Sequence, residues 1–221
     1  MVFDVLTIFP HLLDSYLGDS IIKREILKGT IKVRFHDIRV YSKERHKKVD
    51  DSPYGGGAGM LMTPQPIYDC VQAVKKLSPR YSKKTRRVVY LSPKGKLLTH
   101  AVAKKLSMQK GLILLCGRYE GIDERIRKLC VDEEISIGNY VLTGGELPAM
   151  VLIDAVTRLL PGALGNKKSA HEDSFSKSLE GKKEYPHYTR PEMFKGLSVP
   201  PILLTGHHQK IREWRLKKLK K

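Results

Sequence analysis

The unbroken apolar run Gly111-Leu112-Ile113-Leu114-Leu115-Cys116 narrows the fold more than any other stretch of this chain. A strand with one wet face alternates apolar and polar side chains, whereas an unbroken run is expected where both faces of a parallel sheet are covered by helices. The rest of the chain has the matching rhythm. Val2–Phe9, Ile31–Asp37 (Ile31, Val33 and Phe35 on one face), Arg87–Leu91 and Glu134–Ile137 read as further strands. Leu12–Leu27, Pro64–Lys76, Thr99–Lys110, Ile122–Leu129 and Glu146–Leu160 read as helices. Ile67, Val71 and Val74 recur on one face of the second, and Leu147, Val151, Ala155 and Leu159 on one face of the last. Strand, loop and helix in alternation predict an α/β fold with a parallel sheet, and such sheets bind ligands beyond the carboxyl ends of their strands. The loops that begin at Ser92, Gly117 and Gly138 all follow strands, so one rim can gather them.

At 221 residues the chain is long enough to bury a core without disulfide or metal staples. Cys70, Cys116 and Cys130 are scattered and odd in number, which argues against a disulfide framework or a zinc site and for a reducing, cytoplasmic setting. The N-terminus is interrupted by Asp4 and ended by Pro10 with no basic segment before it, so it is read as a buried strand rather than a signal peptide. No run of eighteen apolar residues is present to span a membrane. Lysine and arginine total 41 against 23 acids, a formal charge of +18, which points to a polyanionic partner, nucleic acid ahead of a membrane. Taken alone, the lysines of Lys75–Lys84 and the tail Arg215–Lys221 are equally well read as a solvated basic surface. Gly165–Lys183 has linker composition, and Tyr185–Lys221 is too short to fold alone and carries a basic amphipathic helix from His208 onward. The expected organisation is a catalytic domain over 1–164, a linker over 165–183 and a small, mainly helical domain over 184–221.

The segment Ile137–Pro148 holds three glycines and a proline immediately before a helix. It suits backbone that turns tightly and approaches a ligand closely, and its bare N–H and C=O groups can read the edge of a purine ring. It is the expected place for a nucleoside-containing cofactor. Neither glycine cluster follows a P-loop or a Gly-x-Gly-x-x-Gly pattern. Gly55–Gly59 alone reads as a flexible turn. Charges in Cys116–Arg125 read either as helix capping with surface ion pairs or as a ligand loop presenting Arg118 and Glu120. Asp173 reads as a helix cap or a general base. His207 and His208 are adjacent, a poor spacing for chelation.

Taken together, these motifs resemble the bacterial tRNA (guanine-N1)-methyltransferase family of the SPOUT superfamily. The resemblance covers nearly the whole chain. It runs through Leu6–Pro10, Val49–Gly57, Tyr90–Pro93, Cys116–Glu124, Ile135–Pro148, Arg158–Gly162, Glu172–Phe175 and Pro186–Pro191. It implies a deep trefoil knot, which general topology rules disfavour, and an obligate antiparallel homodimer with sites shared between subunits. It implies S-adenosyl-L-methionine held by Tyr90, Leu91, Ser92, Pro93, Gly95, Gly117, Tyr119, Glu120, Ile137, Gly138, Asn139, Tyr140, Val141, Leu142, Gly144, Gly145 and Pro148. The implied substrate is tRNA with guanosine at position 37, touched by Asp50, Gly59, Arg118, Ser169 and Arg190. Asp173 then resembles the catalytic base and Arg158 the cation at O6. Dependence on Mg2+ is also implied, with Glu120 a candidate ligand. Asn139 stands where many relatives have Asp, and relatives usually continue beyond Lys221, so the expected C-terminal domain is short. Two other readings stay open: a SPOUT ribose 2′-O-methyltransferase, and a non-catalytic RNA-binding protein.

Overall fold

The computed structural model describes residues 1–77, 85–164 and 173–220. The chain divides into two compact units, Met1–Ala163 and Leu164–Lys221.

The first unit is built on a five-stranded sheet in the order β2-β1-β6-β5-β7, with every pairing parallel. Its strands are β1 (Val2–Thr7), β2 (Lys32–Asp37), β5 (Arg86–Leu97), β6 (Gly111–Cys116) and β7 (Glu133–Ser136). β3 (Asp50–Asp51) and β4 (Leu61–Met62) form a separate antiparallel pair that closes the Gly55–Gly59 loop. The helices are α1 (Asp14–Leu17), α2 (Ser20–Leu27), α3 (Pro64–Lys76), α4 (His100–Ser107), α5 (Glu124–Cys130) and α6 (Glu146–Thr157).

Helices cover both faces of the sheet, which is why β6 can be apolar throughout. Leu112, Leu114 and Cys116 pack with Phe3, Val5, Val89 and Leu91 against α4 and α6. Ile113 and Leu115 pack with Leu6, Val88 and Tyr90 against α3 and α5. All six residues of β6 are buried.

Three elements depart from the expected pattern. The helix expected over Leu12–Leu27 is a 3-10 turn at Pro10–Leu13, then α1, then α2. The break falls at Gly18-Asp19, where the Asp19 carboxylate accepts from the Ser20 amide and starts a new helix. β5 does not end at Leu91. It bulges through Ser92–Gly95, pairing Leu91 and then Lys96 with the same residue, Ile135. A Cβ on Gly95 would stand 2.4 Å from the Ile135 nitrogen, so this crossing needs glycine. On α6 the repeating face read from sequence is not the buried one. Pro148, Ala149, Leu152, Ile153 and Val156 are buried, whereas Leu147 and Val151 are 54% and 46% exposed. The helix is apolar on nearly all sides, so periodicity cannot select its inner face.

In the second unit β8 (Met193–Phe194) and β9 (Leu197–Ser198) form a hairpin, and α7 (His208–Lys217) follows a 3-10 turn at Pro201–Leu204. Lys183 and Lys220 pair through an isolated bridge.

One charge cluster ties the strand starts together. Asp4 of β1 is fully buried. It receives Arg34 of β2 at 2.7 and 2.9 Å, lies 2.8 Å from His36 Nε2, and also meets Arg86 of β5. Burial alone raises a carboxyl pKa, but hydrogen bonds from His36 and Arg34 and the charges of Arg86 and Arg34 outweigh it and hold Asp4 below its ordinary value. A depressed native pKa contributes stability above the unfolded-state value, and that contribution is lost as pH falls through the native value. Asp4→Asn is therefore expected to cost roughly 3–5 kcal/mol in urea unfolding at neutral pH, because it strands buried guanidinium groups. The gap to wild type should close in acid.

Candidate active site

The carboxyl ends of β5, β6 and β7 deliver three loops to one cavity of ≈ 560 Å³, within the range of small-molecule sites. Its wall comes from residues 90–94, 117–122, 134–138 and 140–145, with Glu124, Arg127 and Pro148. Every residue assigned above to the cofactor lines it except Gly95, which is spent on the β5–β7 crossing, and Asn139, which points to solvent at the surface of the same loop.

Two of the loops meet at backbone distance. The Gly145 amide donates to the Gly117 carbonyl at 2.9 Å. A Cβ on Gly145 would fall 2.7 Å from Cys116 Cα, and one on Gly117 would fall 2.9 Å from the Tyr90 hydroxyl. The loop that carries Gly145 turns on Ser136, whose hydroxyl donates to the Gly138 carbonyl at 2.8 Å. Gly117, Gly121, Gly138, Gly144 and Gly145 all line the cavity, and their bare peptide groups suit recognition of a flat heterocycle by N–H and C=O edges. Tyr90 stands in the wall with its phenol pushed up to about 12 by burial and by the Glu134 carboxylate, so it remains a neutral hydroxyl at physiological pH.

The β3–β4 segment abuts this cavity. Glu120 donates its amide to the Met60 carbonyl at 2.9 Å, and a Cβ on Gly59 would stand 2.6 Å from Glu120 Cγ. Tyr119 holds a left-handed φ of 58°, a conformation that non-glycine residues keep only where the surroundings impose it. Burial raises its phenol pKa, as does its hydrogen bond with Asp50, while Arg39 opposes the shift. Asp50 and Gly59, both assigned to RNA, thus sit beside the cofactor loop.

Arg118 lines the cavity, but its guanidinium turns inward. Its Nε lies 3.0 Å from Glu146 Oε2, it donates from Nη1 to the Thr143 carbonyl at 3.1 Å, and it stacks 4.7 Å over the Phe9 ring. Glu146 is 2% exposed and accepts from the Thr7 hydroxyl at 2.6 Å through its other oxygen. Sequence reasoning passed over both Thr7 and Glu146. The available signal was a carboxylate opening a mainly apolar helix.

Of the residues assigned to catalysis, Arg158 does not line this cavity. Arg158, at the end of α6, lines a separate cavity with Tyr16, Asp19, Ser20, Ile22 and Asp154. There the Tyr16 phenol donates to Asp154, and that bond, more than burial, pushes its pKa up to about 12. Asp173 belongs to the second unit, where its carbonyl accepts from the Ser176 amide at 3.1 Å. Arg190 is exposed in the same unit, and Ser169 lies outside the described residues. Among the described residues no three His, Cys, Asp or Glu side chains are grouped to hold a metal ion, and no helix is long and apolar enough to cross a membrane.

The family described as tRNA (Guanine-1)-methyltransferase TrmD matches residues 1–221. The chain is also similar to proteins named tRNA (guanine-N(1)-)-methyltransferase. It is 53% identical over 215 residues to that of Clostridioides difficile (strain 630), covering 97% of this chain and 90% of the relative. It is 52% identical over 215 residues to that of Geotalea uraniireducens (strain Rf4), covering 97% and 84%. It is 54% identical over 219 residues to that of Heliobacterium modesticaldum (strain ATCC 51547 / Ice1), covering 98% and 79%.

The backbone contact between the two glycine loops makes a direct prediction. Gly145→Ala should lower stability by about 1–3 kcal/mol in urea unfolding, because the new methyl meets fixed backbone. Gly138→Ala meets only the half-exposed Tyr140 ring and should cost clearly less.

Proposed function

The chain belongs to the tRNA (guanine-1)-methyltransferase family, and on that premise we propose that it transfers a methyl group from S-adenosyl-L-methionine to N1 of guanosine 37 in tRNA. The observation that carries this reading is the glycine-lined cavity beside β5, β6 and β7, lined by most of the residues that the family pattern assigns to the cofactor. The fit is physical. A purine ring and ribose need close backbone approach, and Gly145 leaves no room for a Cβ against the Cys116–Gly117 backbone. When bound, S-adenosyl-L-methionine supplies an electrophilic methyl on a sulfonium whose departure leaves a neutral thioether.

The remaining chemistry falls to this chain's own side chains. Guanine N1 carries a proton at neutral pH, and removing it places negative charge on O6. Asp173 takes that proton in this scheme, the Arg158 guanidinium stabilises the developing charge on O6, and the freed N1 lone pair accepts the methyl. The target base must leave its stack to reach such a site. The basic surface supplies phosphate affinity that weakens with salt, with Arg190 and α7 gripping the RNA and Asp50 and Gly59 beside the neighbouring nucleotide.

We further propose a homodimer in which each cofactor cavity is completed by the partner copy, and a knotted path for the loops that enclose it. Support for the dimer comes from α6 and the loop before it. Val141 is 82% exposed, and Leu147 and Val151 form a second apolar face opposite the one that α6 buries. Arg158 and the cofactor cavity are separate within one chain, so a shared site gives them a means to meet.

The test is methyl incorporation from labelled S-adenosyl-L-methionine into tRNA transcripts bearing guanosine or adenosine at position 37, followed by primer extension. Incorporation restricted to the guanosine transcript, with a polymerase stop at position 37, is expected, because N1 methylation blocks the pairing edge. Incorporation without a stop would mean ribose methylation, and tight RNA binding without incorporation would mean a binding protein. Asp173→Asn should retain cofactor binding and lose transfer by about a hundredfold or more, the usual contribution of a general base.

A further inference from the structure

We propose that Glu146 is a positioning residue that neutralises Arg118 beneath the cofactor cavity and thereby lets a cationic ligand bind there. The inference rests on the reading of that cavity as an S-adenosyl-L-methionine site and adds to it a residue that does not line the cavity at all.

Arg118 projects from the loop after β6 and lines the cavity wall. Its guanidinium is 18% exposed and lies in the gap where a Cβ on Gly144 would stand 2.2 Å from Nε. A guanidinium does not lose its proton in a protein, so this is a permanent positive charge beside the cavity. A sulfonium ligand carries the same sign. Glu146 opens α6 directly behind the loop, 2% exposed, 3.0 Å from Arg118 Nε and tied by its other oxygen to Thr7 at the end of β1. The remaining charges on the cavity wall are Lys94, Glu120, Glu124, Arg127 and Glu134. Arg127 is already paired with Glu124 at 2.5 and 2.8 Å. Withdrawing Glu146 therefore adds one net positive charge beside the cavity proposed to take a sulfonium ligand. Because the pair is shielded from water, screening does not erase that change.

The charge argument separates from a packing argument by comparing two ligands of nearly one shape. S-adenosylmethionine has a sulfonium, and S-adenosylhomocysteine has a neutral thioether. Calorimetric titration of the full-length wild type, Glu146→Gln, Arg118→Met and the double variant with each ligand reads the ratio of their dissociation constants. Glu146→Gln keeps the volume and the Thr7 contact, and should raise the S-adenosylmethionine to S-adenosylhomocysteine ratio by about fivefold. Arg118→Met should move the ratio the other way, which keeps the idea testable if Glu146→Gln folds poorly. The double variant should return to the wild-type ratio. Equal weakening of both ligands in Glu146→Gln, or the same direction of change in both single variants, overturns the proposal in favour of simple loosening. Failure of the wild type to bind either ligand instead overturns the cofactor reading itself, and this inference with it.

Discussion

The hydrogen bond from the Gly145 amide to the Gly117 carbonyl is the contact on which the functional rim depends. It joins the loop after β6 to the start of α6, and Gly145 permits it because a Cβ there would stand 2.7 Å from Cys116 Cα. With that contact made, residues of the loops after β6 and β7 line a common space with the β5 bulge. Without it, the loops would be ordinary connections at a sheet edge. The parallel sheet makes the meeting possible, since it points all its strand ends one way. The apolar helices on both faces then fix where those ends lie.

The charges around the rim follow from the same crowding. Arg118 cannot extend freely into the cavity, because Gly144 and Phe9 confine it and Glu146 draws it inward. Tyr119 is held left-handed beside Asp50 and Arg39, so the residue next to Arg118 faces the β3–β4 segment instead. One short loop thus divides its side chains between the sheet interior and the edge where RNA is proposed to lie. In the second unit no comparable pocket of glycines exists among the described residues. Its contribution is cationic, concentrated on α7, where Lys210, Arg212, Arg215 and Lys217 stand against a single acid, Glu213.

How much of this could be read from residue order depended on how local the cause was. The run Gly111–Cys116 announced a buried strand because burial on both faces leaves no polar position. Pro64–Lys76 was legible end to end, since proline opens that helix and its apolar stripe is unambiguous. The bulge in β5 was not, because it depends on Gly95 meeting Ile135, forty positions away. Nor was the inner face of α6, where apolar residues on nearly every side leave the choice to the sheet beneath. At the site, the glycine-rich loop was visible as a loop, and the family resemblance supplied names for its residues. The Thr7–Glu146–Arg118 chain was not legible as a unit, since Thr7 lies more than a hundred positions before the other two.

The central claim is that the glycine-lined cavity beside β5, β6 and β7, and not the Gly55–Gly59 loop or a surface of the second unit, receives S-adenosyl-L-methionine. Amide hydrogen exchange read by mass spectrometry, with and without that ligand, tests it most directly. Slowed exchange confined to the segments around 90–95, 117–122 and 137–145 is the predicted result. Protection centred on residues 53–60 or on α7, with the three strand-end loops unchanged, would contradict it.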